Sequence, residues 1–134
     1  MIIKSMSRKT KSFSQLYDYL TRDKSNFSFS KNTYSNAKDK KNLIKEFIKN
    51  SEYLDDSRGK VFLYHELISL NPNTLSLDEQ KKILLDLANK YLDIRAENNL
   101  SFGVIHEDKN HIHLHLMISS NEIESDKRVR LSKK

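Results

Sequence analysis

The chain has 134 residues, no cysteine, a net charge of +6 and a pI of about 9.4. That length suits one domain with a self-sufficient core. The missing cysteines exclude disulfides, thiol catalysis and zinc–thiolate sites, and no apolar run approaches the ~20 residues of a bilayer span. The N-terminus MIIKSMSRKTK has neither the apolar centre nor the cleavage site of a signal peptide, so the expectation is a soluble cytoplasmic protein without membrane insertion. Its positive charge favours polyanionic partners, nucleic acid first.

The predicted elements begin with a strand from Ile2 to Ser7. A helix follows over Ser12 to Asp23, where Phe13, Leu16, Tyr17 and Leu20 recur at helical spacing and Ser12 or Ser14 can cap the start. Residues 24–36, rich in serine and asparagine and dotted with Phe27, Phe29 and Tyr34, read as a loop with at most a short extended piece. Ala37 to Leu54 reads as a second helix burying Leu43, Ile44, Phe47, Ile48 and Leu54, and residues 55–59 as a turn. Lys60 to Leu70 is a strand, broken at Pro72. Ser76 opens a long helix, with Glu79 three residues on to complete a capping box and Leu84, Leu87, Ala88, Tyr91 and Leu92 on its inner side. Two strands, Leu100–Glu107 and Asn110–Ser119, form a hairpin through Asp108–Lys109. The order is β-α-α-β-α-β-β. It disfavours a doubly wound parallel sheet and predicts an α+β fold, a central antiparallel sheet with flanking helices.

Four of the five histidines fall in the ten residues HEDKNHIHLH, from His106 to His115. On a strand, alternate side chains share a face, so His111, His113 and His115 point one way and Ile112, Leu114, Leu116 and Ile118 the other. That alternation predicts a core on one side of the sheet and a site on the other. Imidazole is the commonest side-chain metal ligand. Two histidines at i and i+2 can share an ion, and His106, at the end of the preceding strand, can supply a third nitrogen across the hairpin. Asp108 suits an orienting hydrogen bond to one of the rings. Three histidines leave coordination positions open for substrate oxygens.

HIHLHLM resembles the strand of histidine-triad nucleotide hydrolases and transferases, a reading that makes His113 a nucleophile, needs no metal and leaves His106 and Asp108 without a role. The longer string resembles the His-x-Asp-x-x-His-x-His-x-His segment of plasmid mobilization relaxases of the MobA/VirD type, members of the endonuclease superfamily named for histidine-hydrophobe-histidine. Further features agree in order: QLYDYLTRD resembles that family's nucleophile segment, YHELISLNP its His-x-x-x-Ser strand, and FGVIHED the strand leading into the histidines. Ile112 stands where many relatives have proline. The resemblance covers essentially the whole chain and implies a single relaxase-type nuclease domain over residues 1–134, either truncated at its C-terminus or unusually small, since relaxases continue past this point.

The resemblance implies a divalent ion, Mg²⁺ or Mn²⁺, on His106, His113 and His115, with Asp108, His111 and His65 as accessory groups. It places the nucleophile at Tyr19, in YLTRD. Helical geometry agrees, because Tyr17 belongs to the apolar stripe and Tyr19 does not. The implied substrate is single-stranded DNA at a transfer origin, nicked through a 5′-phosphotyrosine, with accessory mobilization proteins and a coupling protein as further partners. Arg22 is placed to meet a phosphate, Arg8, Lys9, Lys11, Arg128 and Arg130 to bind backbone, and Phe27, Phe29 and Tyr34 to stack on bases, with at least one of these three expected to bury against the sheet instead. Of His65 and Glu66, neighbours on the central strand, only one can face the site, and His65 is the choice. A DNA-binding module without catalysis is the remaining alternative.

Overall fold

The computed structural model describes residues 2–22, 27–54, 61–70, 76–108 and 111–128, with the backbone alone at Asp108 and His111. The elements are β1 (Ile2–Arg8), α1 (Phe13–Leu20), β2 (Phe27–Lys31), α2 (Lys40–Ser51), β3 (Leu63–Ser69), α3 (Leu77–Arg95), β4 (Asn99–Asp108) and β5 (His111–Glu122). The strands form one antiparallel sheet in the order β1-β3-β5-β4-β2. The α+β class with a central antiparallel sheet is as expected. The element order gains a strand, because residues 27–31, expected as loop, pair along β4 from Ile105 to Ser101. The turn expected at residues 55–59, the break at Pro72 and Lys109 of the hairpin connection lie outside the described residues. Among the described residues, no helix is long and apolar enough to cross a membrane.

Local chemistry sets the helix ends. Ser76 accepts from the Glu79 amide at 3.2 Å, as the capping box predicts. The second helix starts at Lys40, not Ala37, because Asp39 caps it by accepting from the Asn42 amide. Ala37 lies in the loop, where its carbonyl is free to accept a hydrogen bond from the Tyr17 hydroxyl at 2.8 Å. Ser12 occupies the N-cap of α1 without a capping bond; its hydroxyl accepts from Arg8 Nη1 instead.

The sheet is covered on both faces, one of the two arrangements that the element order allows, and the imidazole face carries core residues as well as the histidines. On the first face, Phe13, Leu16, Tyr17 and Leu20 of α1 and Leu43, Ile44 and Phe47 of α2 pack on Leu63, Leu100, Phe102, Val104 and Met117. On the second, Leu84, Ala88 and Leu92 of α3 pack on Ile68, Ile105, Leu114, Leu116 and Ile118. Ile48 was expected inside but is 41% exposed, since α2 meets the sheet only along its Leu43–Ile44–Phe47 stripe. Glu66 is buried on the α3 side, where the Tyr91 hydroxyl donates to its carboxylate.

Phe29 seats its ring against Gly103, the residue opposite it on β4. A Cβ at position 103 would stand 2.6 and 2.8 Å from two of the ring carbons. Gly103→Ala is therefore expected to lose about 1–3 kcal/mol of stability through overpacking, measured as a lower denaturation midpoint. The paired change with Phe29→Leu should recover part of that loss.

Candidate active site

The imidazole face is assembled by strand register. His113 and His115 of β5 stand in line with His106 and Val104 of β4 and with Ser69 and Leu67 of β3. Two residues further along, the same face turns apolar, with Met117 between Phe102 and His65. Helices α1 and α2 cover that apolar end, so the histidines lie where the first core stops and the last turn of α1 begins to overhang.

Four imidazoles meet there. His115 Nδ1 lies 3.0 Å from His65 Nε2, and the two rings stack at a centroid distance of 5.3 Å. The His106 ring sits 4.7 Å from that of His115. His113 is the direct cross-strand partner of His106. His65 occupies the imidazole face, while Glu66 is turned to the α3 side. Arg8, on the neighbouring strand β1, is close enough for its charge to act on His65.

Burial fixes the charge state. His115 is pushed down to about 3, first by desolvation and then by the neighbouring His106, His65, Arg22 and His113. His65 is lowered by desolvation and then by Arg8. Both rings are neutral at neutral pH, so a single proton bridges them. His106 Nε2 bonds to the carbonyl of Leu20. A carbonyl only accepts, so His106 carries its proton on Nε2 and, when neutral, presents its lone pair on Nδ1.

The two tyrosines of α1 part as the helical wheel predicts. Tyr17 is buried, stacks on Phe102 at 4.6 Å and donates to the Ala37 carbonyl. Burial, Asp18 and Asp39 hold its phenol above the ordinary range. Tyr19 is 48% exposed, with its ring edge-on to His65 at 6.3 Å. Arg22 lies over that ring, its guanidinium 4.2 Å from the centroid, and is anchored to the Tyr19 carbonyl at 2.6 Å. An exposed phenol, a guanidinium and neutral imidazoles therefore share one edge.

Other positions expected at the site are placed differently. Arg128 donates to the Val61 carbonyl and bridges to Asn121, toward the end of the sheet away from the histidines. Lys9 is exposed beyond the end of β1, and Lys11 lies over the Phe62 ring. Asp108 and His111 face each other across β4 and β5, but their side chains, and all of Arg130, lie outside the described residues. Phe29 is packed on Gly103 and unavailable for stacking, whereas Phe27 is 45% exposed and Tyr34 fully so. The Leu20 carbonyl had no signal in the sequence, because a main-chain acceptor looks the same at every position.

Among the described residues, no three His, Cys, Asp or Glu side chains are arranged to hold an ion as they stand. The reason is visible in two rings, since His106 Nε2 and His115 Nδ1 are each turned to a protein partner. The donor chemistry nevertheless suits a divalent ion: imidazoles from two adjacent strands, with His115 kept neutral by burial, each retaining a second nitrogen.

A family model described as Relaxase: MobA/VirD2-like, nuclease domain, matches residues 19–134. No curated protein sequence matches the chain.

Proposed function

Because the chain belongs to the MobA/VirD2-like relaxase nuclease family, we propose that it nicks and rejoins single-stranded DNA at a transfer origin through a covalent bond to Tyr19. The observation that carries this reading is the approach of an exposed phenol to the imidazole cluster, Tyr19 against His65 and His65 against His115. Tyr19 Oη attacks the scissile phosphorus, the bond to the 3′-oxygen breaks, and a 5′-phosphotyrosine forms. The phenol gives up one proton and the departing 3′-oxygen gains one, so the exchange of esters balances without water and runs equally in reverse. Arg22, fixed to the Tyr19 carbonyl, holds the phosphate near the ring. His106, His113 and His115 would hold a divalent ion, which supplies charge stabilisation to the phosphoryl oxygens when bound. His65 orients His115 through their shared proton. The strand must be unpaired at the nick for the phosphate to lie against this edge.

The test is direct. The protein is incubated with single-stranded oligonucleotides tiled across the DNA that carries its gene, with Mn²⁺ or with EDTA, and resolved under denaturing conditions. A covalent adduct that forms with Mn²⁺ and not with EDTA is expected. Nucleotide hydrolysis indifferent to EDTA and lost in His113→Ala would instead indicate histidine-triad chemistry, and strand binding without either activity would indicate a binding module.

A further inference from the structure

Helix α2 carries exposed Lys41, Lys45 and Lys49 at every fourth residue, which sets them in one stripe about 6 Å apart along the helix. The stripe borders a groove of about 670 Å³ shared by Tyr34, Ile48 and the three lysines. Tyr34 is fully exposed, yet its segment is firmly held. The Glu46 carboxylate accepts from the amides of Tyr34 and Ser35 at 2.8 and 2.7 Å. Asn32, in the left-handed region, donates its side-chain amide to the Glu97 and Asn99 carbonyls. A second depression of about 200 Å³ continues past Tyr34 and Lys49 to Tyr53, Leu100 and Ile123.

The groove has a direction. Beside Lys41 at the start of α2, Lys40 pairs with Asp18 at 2.8 Å, the residue before Tyr19. At its far end it reaches Leu100, six strand residues or about 20 Å from His106. Its charge is predominantly positive: Glu46 is spent on the loop amides, and Glu52 and, in the second depression, Glu124 face the three lysines. Among the described residues, no carboxylate pairs with Lys41, Lys45 or Lys49. Regularly spaced cations beside an exposed tyrosine on a firmly held loop suit an extended single strand, whose phosphates meet the lysines and whose bases stack on the ring.

We propose that α2 and the 32–36 loop form a second binding site for single-stranded DNA, which grips the strand leading away from the nick. This rests on the reading of the protein as a single-strand nuclease, and its test separates the two. Fluorescence anisotropy is measured with oligo-dT of about 8 and about 20 nucleotides, lengths that bracket one and two binding segments. Tyr34→Ala and the triple variant K41E/K45E/K49E are compared with the parent, all at exposed positions. The parent is expected to bind the longer strand at least about tenfold more tightly. The triple variant is expected to lose that advantage and its steeper salt dependence, and Tyr34→Ala to lose part of it. Affinity for the short strand, and adduct formation on a short nick-spanning strand, should stay as in the parent. The proposal is overturned if the triple variant keeps the length advantage, or if it weakens both strands and duplex DNA equally. A parent that forms no adduct with any strand yet shows the length effect defeats the nuclease reading and leaves this site standing.

Discussion

Tyr19→Phe is expected to abolish the covalent DNA adduct, a fall of at least about a thousandfold, while the protein still folds and binds single strands. The substitution removes one exposed oxygen and leaves the ring, its edge contact with His65 and the Arg22 guanidinium over its face. Affinity for a nick-spanning strand should therefore change by no more than about twofold. Tyr17→Phe, two residues away, should do the reverse. It removes a buried hydroxyl that donates to Ala37 and leaves that carbonyl without its side-chain partner, a loss of about 1 kcal/mol in a denaturant titration with adduct formation retained. Adduct formation surviving in Tyr19→Phe and lost in Tyr17→Phe would reverse the assignment.

Phe102→Ala is expected to cost about 3–5 kcal/mol, the largest loss of stability from any single truncation considered, and to lower the melting temperature by about 10–20 °C. Phe102 is fully buried, stacks on Tyr17, and stands beside Met117 under α1. Its removal opens a cavity beneath the helix that presents Tyr19, and α1 sits too close to both strands and α2 for the space to collapse. Thermal unfolding followed by circular dichroism checks the size of the effect. A change below about 1 kcal/mol would mean that α1 repacks without it. Because α1 is also the platform of the site, adduct formation should fall at temperatures where the parent is still folded.

The repeating signals were legible in the sequence. The Phe13–Leu16–Tyr17–Leu20 stripe, the Ser76 capping box and the alternation of His113 and His115 with Leu114 and Leu116 each predict a local structure, because each is a period read over a few residues. The second strand was obscured by composition. Phe27-Ser28-Phe29-Ser30 alternates as a strand should, but serines, asparagines and an edge position hide the pattern. The two-sided core was half visible, since HIHLHLM passes from histidine to methionine on a single face, and Met117 marks where the apolar end begins. Contacts between distant segments were not legible. Nothing in LYDYL announces that the carbonyl of Leu20 will meet His106, or that Glu46 will hold the loop bearing Tyr34, because such pairings depend on where two helices dock on the sheet.

That Leu20 carbonyl has a mechanical consequence. It lies in the last turn of α1, and the imidazole of His106 on β4 bonds to it. A ligand that drew the His106 ring away would break a contact that ties the last turn of α1, which carries Tyr19, to the sheet. The freedom of the phenol to swing is thus linked to the position of an imidazole 87 residues along the chain from it. A ligand that binds only when that bond is broken loosens the Tyr19 segment, and stiffening of that segment weakens the ligand by the same factor.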